Sequence, residues 1–336
     1  GKIMEPVEQL NEILRSFHIK ADCLDYNKSD NYFFYDLKLS PSTKVKDIQK
    51  FSDEISMALR TPGKPNIKVI HEEGVVRLEF LTKRTSTLKL FDYFVIDDEV
   101  PNGDLICLLG QDVTGKRLWM DLSKNPHMIV AGTTGSGKST LVHNIIANLY
   151  NYSDVFLYLL DPKGIEFSAY EKSNMPNTKV GYSYSDAIRI LDTLLLSMEY
   201  RYDLLRKGVP VEKIPYSVLI IDEFADLIMQ DKDDLFYTKL CQLAQKCRAA
   251  RISIILATQR PSANIINGTI KANFPARISC RVASHIDSRV VLDAVGAENL
   301  FGQGDALLRD NTRFMDRFQV AYTDAAEVCK VFGNSK

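Results

Sequence analysis

Gly132-Thr133-Thr134-Gly135-Ser136-Gly137-Lys138-Ser139 carries the spacing G-x-x-x-x-G-K-[ST]. Its glycines let the backbone curl until several N–H groups point at one anion, and Lys138 adds a point charge suited to β- and γ-phosphates. The Ser139 hydroxyl is an oxygen ligand of the kind Mg²⁺ takes. Thr140 follows, and the positive end of a helix opening near Lys138 deepens the anion site. The chemistry implied is binding of a nucleoside triphosphate, ATP with Mg²⁺, over residues 132–140. A plain glycine-rich turn has a similar composition. Here, however, an apolar strand precedes the motif and a helical stretch, residues 141–149, follows it, which is the setting that phosphate binding needs.

Val218-Leu219-Ile220-Ile221-Asp222-Glu223 sets two carboxylates at the exit of an apolar run. Asp222 is placed to hold the Mg²⁺ shell, and Glu223 to orient or deprotonate an attacking water. Alone, an acidic pair reads as a solvated strand end. Downstream of a phosphate loop it reads as hydrolase machinery, because a protein that only binds phosphate has no use for the second acid. A third apolar run, residues 252–257, ends in Thr258-Gln259-Arg260-Pro261. Gln259 at that tip suits a sensor of the γ-phosphate, although spacing alone leaves an ordinary strand-to-loop transition equally open.

These residues need a sheet that delivers them to one edge. Residues 128–131, 155–160, 218–221 and 252–257 are short, nearly continuous apolar runs, as expected of parallel strands covered on both faces. Helical periodicity between them, as over residues 187–205, predicts an α/β doubly wound sheet from about Leu105 onward. The first hundred residues read differently, as a small α+β unit. Val45, Ile48, Phe51, Ile55 and Leu59 recur at spacings of three and four, predicting one amphipathic helix. A strand over residues 32–39 precedes it, and a hairpin over 67–70 and 75–80 turns at Glu72-Glu73-Gly74. The polar stretch 97–104 is the expected linker, so the domains are predicted as residues 1–103 and 104–336.

Composition narrows the class. With 45% hydrophobic and 25% charged residues the chain can bury a sizeable core, which excludes a disordered or collagen-like protein. The net charge of −1 argues against a uniformly basic coat for nucleic acid. Six scattered cysteines with no C-x-x-C pair read as free thiols of a reducing cytoplasm rather than a zinc site. No apolar run reaches the roughly 18–20 residues of a spanning helix. The chain opens Gly1-Lys2 rather than with Met, as a piece of a longer protein would. It is expected to be cytoplasmic, with room for a tether to the inner membrane in a longer parent.

Further motifs accompany the phosphate loop: Pro126-His127-Met128-Ile129-Val130-Ala131 leading into it, Asp161-Pro162-Lys163, and Met198-Glu199-Tyr200-Arg201-Tyr202. Ile221-Asp222-Glu223-Phe224-Ala225-Asp226-Leu227 and Ala257-Thr258-Gln259-Arg260-Pro261-Ser262 follow. Then come Ile270-Lys271-Ala272-Asn273, Asp287-Ser288-Arg289, Gly296-Ala297-Glu298 and Gly302-Gln303-Gly304-Asp305. In order and spacing, these resemble the motor of the FtsK/SpoIIIE double-stranded DNA translocases. The N-terminal unit is similar, more weakly, to that family's smaller α domain through Leu39-Ser40-Pro41 and Asp53-Glu54-Ile55; the join over residues 78–94 departs from the family pattern.

The resemblance implies a RecA-like P-loop NTPase core with a mainly parallel sheet, assembled as a homo-hexameric ring around double-stranded DNA. It implies an ATPase in which Lys138, Glu223 and Gln259 are catalytic, and it places a trans-acting arginine finger on Arg248, which without it would be an arginine on a helix surface. DNA contacts map to Arg260, Lys271, His285 and Arg289; His285 stands where many relatives carry lysine. The chain ends at Lys336, soon after the motor-like segment, so no sequence-reading winged-helix module is expected in it. A motor of a conjugative element or phage, or a type VII secretion ATPase that moves protein, are the alternatives; a monomeric P-loop kinase would have little use for Glu223. From Lys246 to Arg289 stand eight basic residues and one acid, Asp287. The near-neutral total therefore conceals a basic segment suited to phosphates. The Asp231-Lys232-Asp233-Asp234 insert is expected as a solvated turn.

Overall fold

The structure is a computed structural model that describes residues 3–83, 87–94, 100–310 and 315–333. The first unit comprises α1 (Pro6–Ser16), β1 (Ala21–Lys28), β2 (Tyr32–Leu39), α2 (Val45–Lys50), α3 (Ser52–Leu59), β3 (Asn66–Ile70) and β4 (Val75–Leu81). Its sheet is antiparallel in the order β1-β2-β4-β3. The expected hairpin is β3–β4, with Gly74 at φ +65° in its turn. The single amphipathic helix is broken into α2 and α3 at Phe51 (φ −103°, ψ 13°). There the Ser52 hydroxyl donates to the Gln49 carbonyl at 2.9 Å, the local bond by which serine competes with a helix ladder. The apolar face survives the break: Ile48 and Ile55 remain buried in one cluster with Leu10, Leu14 and Leu37.

The second unit opens with α4 (Leu90–Tyr93), β5 (Ile106–Asp112), β6 (Arg117–Asp121), β7 (His127–Ala131), α5 (Lys138–Tyr150) and β8 (Phe156–Leu160). It continues through α6 (Ser168–Lys172), β9 (Thr178–Gly181), α7 (Tyr184–Arg206), β10 (Ser217–Ile221), α8 (Phe224–Gln230) and α9 (Leu235–Lys246). The remainder is β11 (Ile252–Thr258), α10 (Gly268–Asn273), β12 (Ala276–Ser279), α11 (His285–Leu292), β13 (Asp305–Arg309), β14 (Met315–Val320) and α12 (Ala325–Phe332). One sheet runs β6-β5-β14-β13-β12-β7-β11-β10-β8-β9. From β12 to β9 all neighbours are parallel; the β13, β14, β5 and β6 side is antiparallel.

The four apolar runs are β7, β8, β10 and β11. Every residue of β7, β10 and β11 is buried, which is why their sequences carry no alternation. Along β7, Met128 and Val130 pack with α5 on one face, while Ile129 and Ala131 pack with α7 and α9 on the other. Helix α5 is pinned by side-chain amides as well: Asn148 Oδ1 accepts from the Leu108 amide (2.8 Å) and its Nδ2 donates to the Leu108 carbonyl (3.1 Å). The result is an α/β fold with the phosphate-loop strand near the middle of the ten-stranded sheet, second in its parallel block after β12. Among the described residues no helix is long and apolar enough to cross a membrane.

The two units meet through polar as well as apolar contacts. Leu88 and Leu90, placed by sequence with the first unit, lie in the large core beside Leu105 and Val320, and the Leu90 amide donates to the Tyr322 carbonyl (2.9 Å). Of the expected linker, residues 97–99 lie outside the described residues and 100–104 form no regular element. Across the junction the buried Tyr32 hydroxyl donates to Asp305 Oδ1 (2.7 Å). Arg317 grips both Asp305 oxygens (3.0 and 2.7 Å) and donates to the Glu79 carbonyl (2.8 Å). Burial works against the Arg317 charge, but Asp305 outweighs it and holds the guanidinium above its ordinary pKa.

Candidate active site

The chain leaves β7 at Ala131, curls through residues 132–137 and enters α5 at Lys138. Two glycines are dictated by geometry. Gly137 has φ +97°, and a Cβ there would lie 2.4 Å from the Gly304 nitrogen; Gly135 has φ +80°. The loop is buttressed by the Gly302–Asp305 turn, since the Gly304 amide donates to the Ser136 carbonyl (3.0 Å) and the Gln303 amide to the Gly135 carbonyl (3.3 Å). A cavity of about 510 Å³ opens over the loop, lined by Thr133, Thr134, Gly135, Gly137, Lys138, Ser139, Thr140, Glu166, Gln259 and Gln303 among others. Gly132 and the buried Ser136 complete the curl without lining it.

At the back of the site Lys138 and Asp222 form a buried ion pair at 3.0 Å. Desolvation raises the Asp222 pKa, with Lys138 pulling it the other way. Asp222 stands one residue beyond β10, as the apolar-then-acidic pattern predicts. Glu223 follows in the left-handed region (φ 53°, ψ 64°) and is only 1% exposed. Its two oxygens accept from the Thr258 hydroxyl (2.7 Å) and the Gln259 amide (2.6 Å). In this state its carboxylate therefore faces the end of β11 and does not line the cavity. Gln259 does line it, and its Oε1 accepts from the Thr134 hydroxyl at 3.4 Å.

The Ser139 hydroxyl donates to Glu166 Oε1 (3.0 Å), and Glu166 Oε2 lies 3.0 Å from His143 Nε2. Hydrogen bonding to His143 leads the effects that hold the Glu166 carboxyl below its ordinary pKa. Glu166 was not singled out from the sequence. The nearest signal was Asp161-Pro162-Lys163 at the exit of β8, five residues earlier. Among the described residues no three His, Cys, Asp or Glu side chains cluster as a self-sufficient metal site. Ser139 and Asp222 are hard oxygen donors, the kind that suits Mg²⁺ sharing its shell with phosphate and water. The donors present thus fit the ion expected there.

The other predicted residues lie outside the cavity. Arg260 is exposed and directly follows Gln259; its amide donates to the Thr258 hydroxyl oxygen (2.9 Å). His285 and Arg289 are exposed on α11. Lys271 does not stand free, because its ammonium pairs with Asp293, which also takes Arg277 (2.6 Å) and Arg309 (3.5 Å). A DNA phosphate at Lys271 would compete with that carboxylate. Arg248 is exposed on the short turn before β11, the end opposite to Gln259. The insert at 231–234 is a turn, but Asp231 is buried rather than solvated. It accepts from the Phe236 and Tyr237 amides (both 2.9 Å) and caps α9, an office its acidic neighbours concealed.

Comparison with known proteins agrees with this architecture. The FtsK/SpoIIIE family profile matches residues 98–209 and 207–263. Curated relatives named DNA translocase FtsK include those of Clostridium tetani, 34% identical over 99% of this chain, and Campylobacter jejuni, 35% identical over 98%. That of Rickettsia prowazekii is 32% identical over 98%. The chain spans 47%, 37% and 50% of those proteins respectively, about half their length or less. Among solved structures, the pCW3 conjugation coupling protein TcpA, in a monomer form with ATPγS, superposes with a TM-score of 0.67 at 21% identity. That likeness covers 97% of this chain and 99% of TcpA. The cytoplasmic domain of the Thermomonospora curvata type VII secretion ATPase EccC gives 0.63 at 22% identity over 75% of this chain and 35% of its own. With the family profile matched through the phosphate loop and acidic pair, and relatives at 32–35% identity along nearly the whole chain, the chain belongs to the FtsK/SpoIIIE family.

Proposed function

We propose that this chain is the motor of an ATP-driven double-stranded DNA translocase, acting as a homo-hexameric ring on the cytoplasmic side of the membrane in chromosome segregation. The motor comprises residues 104–336, with the Leu88–Phe94 segment packed on it. The observation that carries the reading is the continuity of β11. At one strand tip the carboxylate of Glu223 is bound by Thr258 and Gln259, and Arg260 follows at once. A phosphate contact at Arg260 thereby bears on the residues that hold the water-activating acid.

In this reading the triphosphate draws Lys138 away from Asp222, and the freed Asp222 carboxylate and Ser139 are the residues that would hold Mg²⁺. When bound there, Mg²⁺ would supply positive charge against the negative charge developing on the phosphates. Gln259 senses the γ-phosphate. Glu223, released from Thr258 and Gln259, takes a proton from the water whose oxygen bonds to the γ-phosphorus as the γ-phosphorus to bridging-oxygen bond breaks, leaving ADP and inorganic phosphate. Arg248 stands at the other end of a strand spanning about 23 Å, so it serves a neighbour's site, where such a finger is worth about 10³–10⁵ in rate. Arg260, Lys271, His285 and Arg289 track backbone phosphates, contacts that carry no sequence information and so suit a motor.

The DNA reading stands above the protein-moving one because the relatives at 32–35% identity are DNA translocases, whereas the type VII likeness is one of fold. The test is the ATPase rate with and without linear double-stranded DNA across a salt series. Stimulation is expected at low salt, with binding falling at a slope of about −0.9 per phosphate neutralised. Turnover indifferent to DNA at low salt would contradict it.

A further inference from the structure

The motif Asp161-Pro162-Lys163 has so far no role, yet its aspartate is fully buried at the exit of β8. Its carboxylate accepts three backbone amides from the loop that follows: Gly164 (3.0 Å), Glu166 (2.8 Å) and Phe167 (2.9 Å). Gly164 supplies the left-handed residue the curl needs, at φ +70°. Phe167 and Tyr170, both buried in the large core, anchor the far side. The loop is therefore folded around a carboxylate and clamped by two aromatic rings.

That construction sends Glu166 back over the first turn of α5. One oxygen accepts from the Ser139 hydroxyl and the other meets His143, four residues further along the same helix face. His143 is itself fixed on its other nitrogen by the Tyr170 hydroxyl at 2.7 Å. A hydroxyl has one hydrogen to give, and its oxygen can hold a cation only when that hydrogen points elsewhere. The hydrogen bond found for the Ser139 hydroxyl goes to Glu166, whereas Asp222 Oδ1 accepts from Lys138 (3.0 Å).

We propose that Glu166 is a positioning residue for the metal-holding serine: its carboxylate takes the Ser139 hydrogen and so turns the oxygen lone pairs toward the cavity where Mg²⁺ is held. Asp161 and His143 fix Glu166 in that office. The inference rests on the ATP–Mg²⁺ reading of the cavity and adds to it a carboxylate outside the phosphate loop and the acidic pair. Partners that orient a metal's ligands typically affect metal affinity about 10–100-fold.

The experiment measures binding of a fluorescent non-hydrolysable ATP analogue to the full chain, in EDTA and across a Mg²⁺ series, alongside the melting temperature. Glu166→Ala is expected to raise the Mg²⁺ concentration for half-saturation by about tenfold or more, with affinity in EDTA and melting temperature close to wild type. Glu166→Gln retains an oxygen that can accept from Ser139 and is expected to keep most of the Mg²⁺ response. Should the alanine variant fail to fold, Glu166→Asp carries the same test, because it keeps the charge but gives up the reach and is expected to lose the response. An unchanged Mg²⁺ response in Ala or Asp, an equal loss with and without Mg²⁺, or a Gln variant as poor as Ala would each overturn the assignment. If wild type binds no nucleotide in either condition, the ATP reading fails with it; if wild type responds to Mg²⁺ and the variants follow it, only the role of Glu166 falls.

Discussion

Glu223 illustrates how one residue reconciles stability with chemistry. It occupies the left-handed region, where a non-glycine residue costs about 1–2 kcal/mol. It repays part of that by accepting two hydrogen bonds from β11. Substitution therefore separates fold from function. Glu223→Gly should melt no lower than Glu223→Ala, the difference being about 1 kcal/mol in favour of glycine. Both should bind ATP while losing about 10²–10⁴ in turnover. Calorimetry and single-turnover hydrolysis check the two halves, and normal turnover in either variant would remove Glu223 as the water activator. The phosphate loop and acidic pair were legible in the sequence because their chemistry demands fixed residue types at short spacing. Glu166 was not, because its arrival at Ser139 depends on how Asp161 folds the loop between them.

Among the elements, four of the six parallel strands announced themselves, whereas β9 and β12, four residues each, did not. Burial on both faces forces continuous apolar runs, and β7, β8, β10 and β11 read out directly. The antiparallel side did not, because strands such as β14 carry charge into the core: Arg317 is 3% exposed and looks like a surface residue until Asp305 is placed beside it. Likewise the break between α2 and α3 turns on a single serine hydroxyl, which periodicity does not register. Strand β11 has the further property of presenting Gln259 to its own cavity and Arg248 at its opposite end. Arg248→Ala should accordingly abolish hydrolysis while leaving nucleotide affinity intact. Mixed with inactive Lys138→Ala, it should regain activity, since in the proposed ring a mixed assembly would set an intact Arg248 against an intact loop. Absence of rescue at every ratio would count against a finger acting between copies.

For the whole molecule, the junction between the units is a buried polar network that touches the phosphate loop through Asp305, the residue after Gly304. Its most vulnerable member is Glu79. Burial pushes its carboxyl up to about 7, against the pull of the Asn66 amide and nearby cations, and its Oε2 has no hydrogen-bond partner. An acid with a raised native pKa contributes fully below its unfolded value and loses that contribution as pH rises toward 7. Glu79→Gln should match wild type near pH 4.5 and exceed it by up to about 3 kcal/mol at pH 8. Denaturant melts across that range check this, and parallel pH profiles would contradict it. Charge sorting belongs to the same scale: a total of −1 coexists with Arg260, Arg281, His285 and Arg289 exposed within one short stretch of chain. That stretch is where a moving duplex would be gripped. The most direct measurement is displacement of a third strand annealed to a long duplex, which an advancing motor must strip away. Wild type with ATP should release that strand, while Lys138→Ala, and wild type with a non-hydrolysable analogue, should leave it bound. Vigorous DNA-stimulated hydrolysis with no strand released would contradict the translocase account.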